Sequence, residues 1–100
     1  MKLMGKNYKI KMDKDFLNDD GTPLLGHINY DEQFIKLESG VSRKSQEDTL
    51  THEILHGILH HSGISKCLDN KNLEEGVVMA IAGELHNLGV GKFLGGKYLK

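Results

Sequence analysis

The chain is predicted to fold as one α+β domain, a small antiparallel three-stranded sheet packed against two helices, and three observations carry that prediction. Within residues 1–40, short stretches alternate apolar with charged or polar residues, the period of half-buried strands. Beyond Ser42 the apolar residues recur every three to four positions, the period of helices. The length is 100 residues, of which 38 % are hydrophobic and 27 % charged, enough for one modest core and too little for two. Strands followed by helices place the helices on one face of the sheet.

The first strand is expected at 8–12, where Tyr8, Ile10 and Met12 alternate with Lys9 and Lys11. Asn18-Asp19-Asp20-Gly21-Thr22-Pro23 is dense in turn formers and holds the only proline, so it reads as a loop. A second strand at 26–30 and a third at 33–38 are joined by Asp31-Glu32, a connection short enough for an antiparallel hairpin. Ser39-Gly40 ends the third strand. A helix over 43–62 follows, with Ser42 or Ser45 as its cap and Gly63 suited to the left-handed position beyond its end. After a loop containing Cys67, a second helix spans 73–88 with Val77, Val78, Ile81, Ala82, Leu85 and Leu88 on one broad apolar face. Residues 89–100, rich in Gly and Lys, read as a short docked or loosely ordered extension.

The first helix carries the chemistry. His52-Glu53-Ile54-Leu55-His56 is an H-E-x-x-H motif flanked by apolar residues. On a helix, residues four apart share a face, displaced about 40° around it and roughly 6 Å along it, so His52 and His56 can aim two imidazoles at one metal ion. Glu53 is rotated about 100° from His52, beside the metal instead of on it, where it can serve as general base towards an attacking water. Two ordinary core or surface histidines are the simpler alternative. The apolar stripe of Leu50, Ile54, Leu55, Ile58 and Leu59 weighs against it, because a packed helix holding two imidazoles four apart needs a reason, and a metal supplies one.

A catalytic zinc site takes three protein ligands. The extended form H-E-x-x-H-x-x-G-x-x-H fails, since Leu59 and Ser62 stand where it needs Gly and His. His60 shares a face with His56, but three histidines on successive turns span ~12 Å, too far to close on one ion. His60 and His61 read instead as helix-end residues. A carboxylate from the second helix remains, with Glu74, Glu75 and Glu84 as candidates. Glu75 is favoured by phase, because 75, 78, 82 and 85 descend one face with Val78, Ala82 and Leu85. Zinc is expected from the ligand types, although imidazole also suits iron, nickel and copper.

The bulk numbers exclude several classes. A formal charge of −1 leaves no electrostatic footprint for nucleic acid or an anionic membrane. No apolar run approaches the ~20 residues of a membrane span, and the Lys-rich N-terminus lacks the apolar core of a signal peptide. One cysteine, Cys67, forms no internal disulfide and reads as an inert loop residue. The expectation is a cytoplasmic protein.

These motifs resemble those of the ImmA/IrrE-type zinc-metallopeptidase-like proteins, in particular their small phage and prophage members. The second helix of that family runs Glu, an apolar residue three on, another six on, Ala seven on and Leu ten on, which Glu75, Val78, Ile81, Ala82 and Leu85 match. Gln46, Thr49, Leu50 and His52 match a Gln-x-x-Thr-Leu-x-His run, and the hairpin from Gly26 to Leu37 is similar to the one beside the family's site. The likeness covers roughly residues 5–88, with specific motifs only in 46–60 and 75–85. It implies a minimal zincin-like fold and a gluzincin-like site, with His52, His56 and Glu75 as zinc ligands and Glu53 as base. It also implies hydrolysis of a peptide bond in a protein, such as a repressor-like phage regulator. Met79 departs from the family's larger members, which often have Asn four residues after the Glu, and the extra regulator-binding helices of those members are not expected within these 100 residues. Tyr30, His60, His61 and His86 are candidate donors to the oxyanion, with none preferred. The competing expectation is a zinc-stabilised binding module without turnover, in which the metal ties the two helices together.

Overall fold

The computed structural model describes residues 1–99. Five strands precede three helices: β1 (Lys2–Leu3), β2 (Lys6–Asn7), β3 (Lys9–Asp13), β4 (Gly26–Asn29), β5 (Phe34–Glu38), α1 (Arg43–His61), α2 (Lys71–Asn87) and α3 (Val90–Tyr98). The α+β class holds.

The three-stranded sheet is mixed, not antiparallel as expected. Its order is β3-β5-β4, with β4 antiparallel and β3 parallel to the central β5. Composition explains the order. Ile35 and Leu37 of β5 are fully buried, whereas β3 carries Lys9, Lys11 and Asp13 in solvent. The most apolar strand takes the centre, where both its ladders are paired, and the charged strand takes an edge. Residues 14–25 therefore cross from β3 past the end of β5 to the opposite edge, and β5 returns between the two in the direction of β3. Glu38, only 8 % exposed, fastens that crossover by accepting hydrogen bonds from the backbone N–H of Asp15 and of Gly40, both at 2.7 Å.

The β4–β5 hairpin is present, but its link has four residues, Tyr30 to Gln33, in place of the expected two. The Asn29 side chain accepts from the Glu32 N–H at 2.8 Å, and Gln33 adopts a left-handed φ of 58°. A separate hairpin, β1–β2, lies ahead of these strands and brings Leu3 into the core. It turns through Met4 and Gly5, both with positive φ, and methionine is no turn signal.

On the sheet's inner face, α1 buries Leu50 against Ile35 and Leu37, in a core shared with Leu3, Tyr8 and Leu99. Ser42 is its N-cap, accepting from the Ser45 N–H at 3.1 Å, and Gly63 with φ 83° follows its end. A 3-10 turn at Ile64–Cys67 then leads to α2, capped by the Asn70 side chain. Only Val78 and Ala82 of α2 are buried. Ile81 and Leu88, expected on its packed face, are exposed, because α2 packs on α1 and α3 and presents its back to solvent.

The expected C-terminal extension is a helix. Gly91 and Gly95 lie four apart on the buried side of α3, and a Cβ at Gly95 would come within 2.6 Å of Glu47 Cγ. Glycine here permits close helix contact, at the cost of the entropy that made the segment read as loose. Arg43 donates through Nη2 to the carbonyls of Gly95 (2.7 Å) and Leu99, closing the end of α3 onto the start of α1. Among the described residues no helix is long and apolar enough to cross a membrane.

Candidate metal centre

Helical periodicity puts His52 and His56 on one face of α1, with their Nε2 atoms 3.2 Å apart. The packing of α2 against α1 brings Glu75 across from them. Its Oε1 lies 2.7 Å from His52 Nε2 and its Oε2 lies 3.0 Å from His56 Nε2. One ligand atom from each residue falls within 4.8 Å of the others. Two ligands of a tetrahedral zinc, at Zn–N of about 2.0–2.1 Å, stand about 3.3 Å apart. The Nε2 pair matches that edge, and the carboxylate oxygens are closer, at hydrogen-bonding range. His52, His56 and Glu75 can therefore hold one metal ion.

The other two acids considered for the third position are not placed with these atoms. Glu84 is exposed on α2, and its side chain accepts from Asn87 at 3.5 Å. Glu74 reaches the opposite edge of an imidazole, accepting from His56 Nδ1 at 3.0 Å. Its second oxygen accepts from the Ser65 hydroxyl at 2.5 Å. The consecutive acids thus divide the work, Glu75 at Nε2 and Glu74 at Nδ1. A carboxylate on Nδ1 fixes the tautomer that leaves Nε2 free for a metal.

The electrostatics agree with that division. Burial holds His52 below the ordinary imidazole value, with Glu75 opposing and His56 adding to the effect, which favours the neutral ligand form. Glu74 is held below the usual carboxylate range, chiefly by the Ser65 hydrogen bond and further by His56. Glu53 is only 8 % exposed. Burial pushes its carboxyl up to about 7, against the pull of His56 and with the help of Glu75. A carboxyl that changes protonation near neutrality suits proton transfer in both directions.

Glu53 and His52 border a cleft of about 500 Å³ between the crossover before β4 and the flanks of α1 and α2. Gly26, at the start of β4, lets the strand lie close to α1, since a Cβ there would come within 2.3 Å of Thr49 Cγ2, with Glu53 Cγ next at 3.4 Å. Two of the four candidate oxyanion donors, His61 and His86, pair with other polar groups, and the other two stack on each other. His60 stacks face to face on Tyr30, with ring centroids 3.8 Å apart and planes at 2°. His61 Nε2 pairs with the Tyr8 hydroxyl at 2.5 Å. His86, farther along the cleft, pairs through Nε2 with Asp48 Oδ1 at 2.8 Å. Burial first, then Glu74 and Glu53, push the Tyr30 hydroxyl up to about 12, so it stays a hydrogen-bond donor. Cys67 is exposed at the end of the 3-10 turn, apart from these groups.

The roles of Glu74 and of the Asp48–His86 pair were not foreseen from the residues alone. Each left a trace. Glu74 adjoins Glu75 in the first turn of α2, and Asp48 lies one turn before His52 on the same face. Comparison of the chain with protein-family models, with curated proteins and with solved structures gives no match.

Proposed function

We propose that this chain is a zinc-dependent metallopeptidase of minimal zincin-like form, with His52, His56 and Glu75 as ligands and Glu53 as general base. The observation that carries the reading is the convergence of two imidazoles and one carboxylate beside a buried glutamate that opens onto a cleft. The donor set fits zinc, which takes imidazole nitrogen and carboxylate oxygen in a tetrahedral site. When bound, zinc supplies Lewis acidity, lowering the pKa of water towards neutrality and polarising the scissile carbonyl. Glu53 takes the proton of the attacking water and delivers it to the leaving amine. Glu74 orients His56, and the Tyr30 hydroxyl, kept protonated, is a candidate donor for charge developing on the carbonyl oxygen. The substrate is a protein or peptide, with a repressor-like regulator of a phage or prophage as the class the sequence resemblance favours. The setting is the cytoplasm of a bacterial host.

One observation favours a second reading. With only Val78 and Ala82 buried, α2 has little apolar attachment of its own, and a metal bridging Glu75 to α1 would tie it down. A non-catalytic binding module would use the site in that way. It leaves the buried Glu53 carboxyl without a use, since desolvating an acid costs free energy that a purely structural site has no reason to spend.

Metal removal tests the first reading. Zinc-loaded protein is incubated with a mixture of unstructured peptides and the products are read by mass spectrometry. Cleavage at defined positions, lost after dialysis against a chelator and restored by one equivalent of zinc, is expected. An uncleaved mixture at every zinc level would favour the binding module.

A further inference from the structure

The cleft beside Glu53 has a chemistry of its own. Leu24 and Leu25, from the end of the crossover, form one wall, and Met79 and Ala82 of α2 contribute to the other. Leu25 and Met79 are 53 % and 62 % exposed, so large apolar side chains border a single opening that the described residues leave uncovered. An opening of this kind gains free energy when an apolar group fills it.

The polar groups that line the cleft beyond the metal centre are already paired. His86 Nε2 and Asp48 Oδ1 bond to each other at 2.8 Å, and the Thr49 hydroxyl donates to the Ser45 carbonyl at 2.8 Å. No lysine or arginine lines the cleft to receive an aspartate, and burying that charge without a partner is costly. The cleft's size is held open by an absence. Gly83 lies on its α2 side, in the middle of a helix where glycine is unfavourable, and no atom lies within 4 Å of the place its Cβ would occupy.

We infer that the cleft receives a large apolar side chain of the substrate, at the residue adjoining the bond to be cut, with Met79 and Gly83 setting how large that side chain can be. The inference rests on the metallopeptidase reading, because His52 and Glu53 are themselves part of the cleft wall. His52 belongs both to the ligand cluster and to the cleft wall, so a peptide whose carbonyl is held at the metal centre lies beside Leu25 and Met79 in the same opening. Leucine, methionine and phenylalanine are the matching residues.

Amino-acid hydroxamates test this without a known substrate, since the hydroxamate seeks the metal and the side chain alone varies. Binding of the glycine, leucine, phenylalanine and aspartate hydroxamates to zinc-loaded protein is measured by calorimetry. The leucine and phenylalanine compounds are expected to bind at least about 10-fold more tightly than the glycine one, the gain from burying such a side chain. The aspartate compound is expected to show no such gain. In Gly83→Leu the leucine-to-glycine ratio falls to within about 2-fold, as the new side chain occupies the space. The exposed, unobstructed position makes that variant safe for folding, and its zinc content serves as the control. Equal affinities for all four hydroxamates, with zinc bound, would overturn the inference and leave the metallopeptidase reading intact. Unchanged ratios in a zinc-loaded Gly83→Leu would also overturn it. Failure of the parent to hold zinc or any hydroxamate would remove the reading beneath it, and the inference with it.

Discussion

Replacing Glu53 by glutamine is expected to leave one zinc per chain and to lower peptide cleavage by about 10²- to 10⁴-fold, the usual contribution of a general base. The substitution keeps shape and burial while removing the ability to take a proton. His52, His56 and Glu75 are untouched, so metal content is the internal control. A second consequence has the opposite sign. The Glu53 carboxyl is pushed up to about 7 by burial, above its ordinary value of 4.5. Its ionisation therefore costs the folded state more than the unfolded one, and the penalty grows as pH rises from the ordinary carboxylate range through about 7. An amide carries no such penalty. Metal-free Glu53→Gln is expected to melt at or above the temperature of the metal-free parent at pH 8, with the advantage shrinking towards pH 5. Cleavage at the parent rate by zinc-loaded Glu53→Gln would exclude the base assignment.

Truncating Glu74 to alanine is expected to weaken zinc binding by about 10- to 100-fold without abolishing it, the range for losing an outer-shell carboxylate. Glu74 accepts from His56 Nδ1 at 3.0 Å and is held in place by the Ser65 hydroxyl at 2.5 Å. Without it, the ring is free to turn and to present the wrong nitrogen. Glu74→Gln restores most of the affinity, since the amide oxygen still accepts from Nδ1–H, and Ser65→Ala shows a smaller loss than Glu74→Ala. Competition with a chromophoric chelator reads all three. Complete loss of zinc in Glu74→Ala would make Glu74 a ligand, and unchanged affinity would make its hydrogen bond incidental.

The residues that were legible in the sequence are those whose positions follow from local periodicity. The four-residue spacing of His52 and His56 is a property of one helix, and so is the shared face of Glu75, Val78 and Ala82. The joining of those faces needed only that apolar stripes pack together. What escaped depends on pairing distant in sequence or on glycine. Nothing within residues 8–12 states that they will lie parallel to 34–38, because that follows from competition for the central place in the sheet. Gly91 and Gly95 weaken a helix in isolation and favour one only when Glu47 and His86 lie against it. Met4 in a left-handed turn gave no sign of the β1–β2 hairpin. The choice between Glu74 and Glu75 was a matter of phase within a single turn, and both acids proved to touch His56, on different nitrogens.

The most direct test of the metal centre is the zinc content of the purified chain by native mass spectrometry, for the parent, His56→Ala and Glu75→Ala. One zinc per parent chain, absent from both variants, is the predicted result, with His60→Ala retaining it as the control on the same helix. Zinc retained at full stoichiometry and affinity in Glu75→Ala, or no zinc in the parent after the ion is added back, would contradict the three-ligand site on which the functional reading stands.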